Sequence, residues 1–205
     1  MSHVCSRQNQ AMIPTPKILD CLRTLGGIST PLWLTGGVSV DFLVGRWTRS
    51  HKDIDLVALS STRELLAKEL SSRGVLLVRG GAWNTWWSFS GDKGGDFYIE
   101  IVFVEGANPH TGALVIPEGD PIGGRPGRYP LLPEYLDPLR FATLDGVRFR
   151  VCSAEGEWLA RMTSGALVPG RTVEPKIVQD IGHLEPLVPE ARRRELLPNG
   201  RGSSR

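Results

Sequence analysis

The stretch that decides the fold is GGVSVD at positions 36–41 followed by TRSHKDIDL at positions 48–56. Asp53 and Asp55 stand two residues apart where an apolar run begins, so in a β-strand their side chains lie on the same face. Two carboxylates held together in a partly buried place repel each other unless a cation lies between them. Oxygen ligands suit Mg²⁺, which also accepts phosphate oxygens. The pair therefore predicts a metal site at one end of a strand.

Gly36 and Gly37 follow a short apolar run, residues 31–35, that is typical of a buried strand. Without side chains, such a turn lets backbone N–H groups approach a phosphate, and the helix predicted to follow adds a favourable dipole. The order strand, Gly-Gly turn, helix and acidic strand favours a phosphate-handling site over two solvated edge acids.

A third carboxylate, Glu100, lies within the otherwise apolar run YIEIVFV at positions 98–104. A charge among such neighbours is costly unless it is paired or bound to metal. If this strand lies beside the one with Asp53 and Asp55, Glu100 reaches the same ion. The alternative is a solvated glutamate at a sheet edge.

The remaining pattern predicts an α/β (α+β) domain, a mixed β-sheet flanked by helices, with a small C-terminal helical appendage. Residues 83–89 and 97–104 are expected to form a hairpin, and Ser61 with Glu64 and Ser153 are expected to cap helices. The predicted divisions are a flexible N-terminus (1–16), a catalytic domain (17–152) with an irregular insertion (105–145), a helical appendage (153–190) and a basic flexible tail (191–205).

Composition limits the classes of function. The 205 residues carry 24 basic and 22 acidic side chains, a net charge of +2, and show no recognition motif, which argues against a nucleic-acid partner. No run approaches the roughly 20 apolar residues of a membrane span, and the N-terminus lacks a signal-peptide pattern. The three cysteines form neither a disulfide framework nor a zinc motif. We expect a cytoplasmic protein without a membrane partner.

The motifs together resemble those of the small antibiotic nucleotidyltransferases, the lincosamide and aminoglycoside 2''-nucleotidyltransferases of the DNA polymerase β-like superfamily. The resemblance begins with WLTGGVSVD (33–41), Gly45 and RSHKDID (49–55), with Val38 where relatives commonly have Trp. It continues through YIEI (98–101), RVCSAE (150–155) and KIVQDI (176–181). In the first of these, Glu100 stands where the family usually has Asp. It covers roughly residues 17–188.

The resemblance implies transfer of a nucleoside monophosphate, AMP from ATP or from another NTP, onto a hydroxyl of a lincosamide, an aminoglycoside-type antibiotic or a related metabolite, with release of pyrophosphate. It implies two Mg²⁺ ions. The implied catalytic residues and metal ligands are Asp53, Asp55 and Glu100. The implied nucleotide-binding residues are Gly36, Gly37, Ser39, Arg49 and Lys176.

On the acceptor side, Trp86, Trp87 and Glu105 are the candidate substrate-binding residues. We also expect His51 either to orient Asp53 by a hydrogen bond or simply to pack, and Asp41 to tie its helix to the loop before Asp53. The resemblance allows a homodimer. Two alternatives stay open: a nucleotidyltransferase that modifies a protein, and a non-catalytic relative that binds nucleotide.

Overall fold

A computed structural model describes residues 15–80, 84–89, 97–105, 133–136, 139–163 and 173–197. These residues form a mixed α/β structure, as predicted. Its helices are α1 (Thr15–Gly26), α2 (Gly36–Val44), α3 (Arg63–Ser72), α4 (Ala154–Arg161), α5 (Pro175–Leu184) and α6 (Glu190–Leu196). Its strands are β1 (Trp33–Thr35), β2 (Asp53–Leu59), β3 (Val75–Gly80), β4 (Asn84–Phe89), β5 (Phe97–Val104), β6 (Phe141–Leu144) and β7 (Val147–Arg150).

The main sheet has five strands in the order β1-β2-β5-β4-β3. Strands β2 and β5 are parallel, and β1, β4 and β3 join them antiparallel. The antiparallel pairing of β4 with β5 confirms the predicted hairpin. The parallel pairing matters most for function, because it places the strand that carries Glu100 directly beside the strand that carries Asp53 and Asp55.

The hydrophobic core holds β2 and β5 in place. Helix α1 presents a buried apolar stripe at helical spacing, and its residues join the buried side chains of both strands in one cluster. Ile54, Leu56, Ile99 and Ile101 are all fully buried. Each such side chain contributes about 2 kcal/mol by leaving water. The acids that alternate with these residues therefore stand on rigid strands.

A second sheet, the hairpin β6-β7, lies against α1 and α2. Its turn contains Asp145, whose carboxylate accepts a hydrogen bond from Trp47 Nε1 at 2.7 Å. Strand β6 and a 3-10 helix (Pro133–Leu136) both fall within the predicted irregular insertion, so part of that segment has regular structure. Residues 106–132 of the insertion lie outside the described residues.

Helix ends show where local signals succeed and fail. Ser153 caps α4 as predicted, accepting a hydrogen bond from the N–H of Gly156 at 3.1 Å. The predicted cap by Ser61 is wrong, because Ser61 lies inside a 3-10 turn and α3 begins only at Arg63. Helix α6 occupies the start of the predicted basic tail because its apolar end packs against the α4–α5 cluster. No described helix has the length and apolar character needed to cross a membrane.

Candidate active site

The three candidate acids lie on neighbouring strands in register. Asp55 pairs with Glu100 across the parallel β2–β5 ladder, and Asp53 is two residues earlier on β2, on the same face. Adjacent strands are about 4.8 Å apart, so Asp55 and Glu100 are direct neighbours. Asp53 and Asp55 are partly exposed, whereas Glu100 is only 8% exposed. The backbone therefore brings together the carboxylates that the sequence singled out.

The Gly36-Gly37 turn is packed closely against the side chains of two candidate site residues, Asp55 and Arg49. Gly36 begins α2 with φ at 71°, and a Cβ at this position would lie 2.2 Å from Asp55 Oδ2. A Cβ on Gly37 would lie 2.1 Å from Arg49 Nη2. Any side chain at either position would therefore displace Asp55 or Arg49. This close approach explains why both positions are occupied by glycine.

The N-terminus of α2 faces this turn. Its cap residue, Thr35, makes no side-chain capping hydrogen bond, and Thr35 pairs with Asp55 in the β1–β2 ladder. The first N–H groups of a helix have no partner within the helix, and the helix dipole makes this end attractive to anions. The end of α2 thus lies beside the acids rather than away from them.

Arg49 is held beside the turn by an acid of α5. Its Nε donates to Asp180 Oδ1 at 3.2 Å and its Nη2 donates to Asp180 Oδ2 at 3.3 Å. Arg49 retains 21% exposure of its side chain, whereas Asp180 has 4%. The guanidinium is therefore fixed on the Gly37 side of the turn, in reach of an anion placed there.

His51 and Asp41 form the base of the loop before β2. His51 Nε2 lies 2.5 Å from Asp41 Oδ2, and His51 Nδ1 lies 3.2 Å from Arg49 Nη1. The prediction that His51 orients Asp53 is wrong, because both ring nitrogens have other partners. Asp41 Oδ1 accepts hydrogen bonds from the backbone N–H and hydroxyl of Thr48, at 2.9 and 2.5 Å. Asp41 therefore ties α2 to the loop, as predicted.

The other predicted nucleotide contacts occupy different settings. Ser39 is fully enclosed in α2, and its hydroxyl has no hydrogen-bond partner within the described structure. A phosphate would reach that hydroxyl only after a local opening. Lys176 is exposed and pairs with Glu174 at 3.0 Å. It lies one helical turn before Asp180, on the same face of α5.

The predicted acceptor residues lie along the sheet. Backbone pairing places Trp86 opposite Glu100 and Trp87 opposite Ile99. Glu105 is exposed and lies one residue past the end of β5, five residues beyond Glu100 and about 16 Å away at 3.3 Å per residue. The register therefore brings Trp86 next to the acids and separates Glu105 from them.

The acids fit a divalent cation by chemistry. All three offer carboxylate oxygens, the ligands that Mg²⁺ prefers, and two of them stand on paired positions. No group of three His, Cys, Asp or Glu side chains in the described ranges is already gathered as a metal cluster.

A second polar cluster, which sequence reasoning missed, lies between α4 and α5. Arg161 Nε donates to Asp180 Oδ2 at 3.1 Å, and Arg161 Nη1 donates to the carboxylate of Glu157. All three residues are buried. Burial by itself lowers the pKa of Arg161, but the charges of Glu157 and Asp180 outweigh it and raise that pKa above its usual value. The available signal was the acid-base pair at 157 and 161, one turn apart.

The fold is shared with solved structures of nucleotidyltransferases. The crystal structure of the lincosamide antibiotic adenylyltransferase LnuA with lincomycin bound matches with a TM-score of 0.58 and 19% identity, over 85% of this chain and 98% of that one. The crystal structure of ANT(2'')-Ia in complex with adenylyl-2''-tobramycin matches with a TM-score of 0.61 and 21% identity, over 88% of this chain and 92% of that one. The crystal structure of an antigenic nucleotidyltransferase-like protein from Paracoccidioides brasiliensis matches with a TM-score of 0.54 and 15% identity, over 87% of this chain and 79% of that one.

The sequence identifies the particular family. The model of the aminoglycoside-2''-adenylyltransferase family matches residues 17–162, and the chain belongs to that family. The resemblance inferred from the motifs is thereby confirmed, and the chain is an enzyme of the nucleotidyltransferase class. No curated protein matches the sequence significantly.

Proposed function

We propose that this enzyme transfers AMP from ATP, or the corresponding monophosphate from another NTP, to a hydroxyl of an aminoglycoside, a lincosamide or a related small molecule. The observation that carries the proposal is the pairing of Asp55 with Glu100 beside the glycine-lined N-terminus of α2. The LnuA and ANT(2'')-Ia structures, which contain lincomycin and an adenylylated tobramycin, support a small-molecule acceptor.

The chemistry is an in-line displacement at the α-phosphorus. The acceptor oxygen forms a bond to phosphorus while the bond to the bridging oxygen breaks, and pyrophosphate leaves. Asp53, Asp55 and Glu100 would hold Mg²⁺, which when bound would neutralise negative charge that develops during the transfer. A carboxylate oxygen of Glu100 accepts the proton of the acceptor hydroxyl. Because Glu100 lies directly beside Asp55, proton acceptance and phosphate positioning occur at one place.

The triphosphate would lie across the Gly36-Gly37 turn. The uncapped N–H groups of α2 suit phosphate oxygens. Arg49, already oriented by Asp180, would supply a charge-assisted hydrogen bond. Ser39 would add its hydroxyl after a local opening, and Lys176 would approach from α5.

The acceptor would lie on the β4 side of the acids. Trp86 is the nearest of the proposed acceptor residues to Glu100 in the sheet, followed by Trp87. Glu105 would contact only an acceptor that extends along β5. We also propose a cytoplasmic location and keep the homodimer as a prediction.

The test is to identify the product by mass spectrometry. The protein is incubated with Mg²⁺, each NTP in turn and a panel of aminoglycosides and lincosamides. The Asp53→Asn/Asp55→Asn variant is run beside Asp20→Asn, which neutralises an exposed acid of α1. A nucleoside-monophosphate gain on one compound, lost only in the double variant, supports the proposal. A gain on the protein itself would indicate a protein acceptor, and equal transfer by the double variant would refute the assigned site.

A further inference from the structure

The buried cluster of Glu157, Arg161 and Asp180 has two extensions that reach the nucleotide turn. On one side, Tyr135 donates from its hydroxyl to Glu157 Oε1 at 3.2 Å, and the same hydroxyl lies 2.7 Å from Thr35 Oγ1. Thr35 is the residue immediately before Gly36. The first extension therefore ends where α2 begins.

The second extension starts at Asp180. Its two carboxylate oxygens hold the guanidinium of Arg49, which packs against the backbone of Gly37. Arg161 joins the two extensions, because it contacts both Glu157 and Asp180. One buried arginine in the C-terminal helices is therefore connected to both sides of the turn.

Tyr135 is fixed in place by its surroundings. Its carbonyl accepts a hydrogen bond from the N–H of Ser153 at 3.1 Å. The residue before Ser153 is also held, because the N–H of Cys152 donates to the carbonyl of Leu34 at 2.9 Å. Its ring packs on Gly156, where a Cβ would lie only 2.0 Å from the ring. Burial raises the pKa of the Tyr135 hydroxyl well above its ordinary value, so it remains a hydrogen-bond donor.

From these contacts we propose that Glu157, Arg161 and Asp180 are positioning residues that fix the Gly36-Gly37 turn from both sides. The turn in turn sets the place of Asp55, whose carboxylate lies against Gly36. A displacement of about 1 Å is enough to lower a rate by about 10²-fold, so the cluster acts on nucleotide binding and transfer without touching the nucleotide. The use of nucleotide binding to measure this effect rests on the proposed function.

Two conservative variants break one extension each. Tyr135→Phe removes only the hydroxyl that links Glu157 to Thr35. Asp180→Asn keeps the shape of the side chain and removes the charge that holds Arg49. Glu185→Gln is the matched control, since Glu185 forms a surface ion pair with Arg193 in the same C-terminal segment. Thr35→Val and Thr35→Ser form a second matched pair, because only serine keeps the hydroxyl.

The first readout is structural and needs no nucleotide. Backbone amide chemical shifts of Gly36 and Gly37 are compared with that of Gly74, which lies between α3 and β3. We expect both conservative variants to move the two turn amides and to leave Gly74 in place. Unchanged turn amides in both variants would overturn the proposal.

The second readout is the Kd for α,β-methylene-ATP with Mg²⁺, measured by calorimetry below the unfolding transition of every variant. Loss of one charge-assisted contact predicts about a tenfold weaker Kd for Tyr135→Phe and Asp180→Asn. The Kd values of Thr35→Ser and Glu185→Gln should equal that of the wild type, and the Kd of Thr35→Val should equal that of Tyr135→Phe. Equal affinity in all variants would refute the positioning role while leaving the proposed function intact. If the wild type does not bind but the turn amides still move, the positioning role is supported and ATP is refuted as the donor.

Discussion

Two sets of three acids in this enzyme differ in their surroundings. The strand acids are Asp53, Asp55 and Glu100. The helix acids are Asp41, Glu157 and Asp180. Every helix acid is buried and matched by a histidine or arginine of the chain itself. The strand acids stand side by side on one face of the sheet, where like charges favour a bound cation. The described contacts thus tie the helix acids to the protein itself, whereas the strand acids form the candidate metal site.

Replacing a strand acid should cause the largest loss of activity. We expect Asp55→Asn to lower the transfer rate by at least about 10³-fold, because the site loses a ligand of the ion that stabilises the transition state. Its Tm should change far less than its activity, because asparagine keeps the shape of the aspartate side chain. Product mass spectrometry and thermal unfolding are the measurements. A fall in Tm with full activity would reverse the comparison.

Breaking the buried cluster of Glu157, Arg161 and Asp180 should instead lower the stability of the protein. Arg161→Met removes the only cation that contacts both Glu157 and Asp180 among the described contacts. Loss of one partner from a buried ion pair costs about 3–5 kcal/mol. We expect the free energy of unfolding from urea denaturation to fall by that amount. A loss below about 1 kcal/mol would show that these carboxylates do not depend on Arg161.

Two helical glycines test the packing of Tyr135 against α4. Ala is favoured over Gly within helices by about 1 kcal/mol. Gly182 of α5 has open space around it, so Gly182→Ala should stabilise the protein by up to that amount. Gly156→Ala should destabilise it by about 1–3 kcal/mol, because the new methyl group would overlap the Tyr135 ring. Urea unfolding distinguishes the two signs, and stabilisation by both variants would contradict the packing.

A seventh acid, Glu69, tests the effect of hydrogen bonds without an ion pair. Hydrogen bonds from Ser29 and Thr30 lower the pKa of Glu69 from its usual value to about 2. Because the folded pKa is depressed, the stabilisation is present at neutral pH and is lost as pH falls from the unfolded pKa through about 2. At this partly exposed site, Glu69→Gln should cost about 1 kcal/mol at pH 7. Urea unfolding from pH 7 to 2 should show the difference between the two proteins shrinking. A constant difference would exclude the carboxylate charge as its source.

The strand acids could be predicted because their signals are local. Two acids at alternate positions, a Gly-Gly turn and one acid in an apolar run all lie within single short segments. Glu100 lies beside Asp55 only because β2 and β5 are parallel neighbours. The sequence alone did not predict that pairing. The fold class followed from the same alternation of apolar and polar residues.

The contacts of Asp180 could not be predicted because its partners are remote in sequence. Arg49 and Asp180 are 131 positions apart, and nothing in either local pattern names the other. His51 shows the same limit: its nearness to Asp53 in sequence suggested a contact, but the loop turns its ring towards Asp41 in α2. Buried polar pairing depends on tertiary packing, which short motifs do not record.

The most direct test of the central claim is the number of Mn²⁺ ions bound per chain in the presence of α,β-methylene-ATP, measured by electron paramagnetic resonance of the free ion. The measurement compares the wild type with Asp55→Asn, Glu100→Gln and the surface control Asp20→Asn. We expect about two ions for the wild type and the control. We expect fewer ions, or much weaker binding, when either strand acid is neutralised. Equal binding by all four proteins would contradict a metal centre formed by Asp53, Asp55 and Glu100.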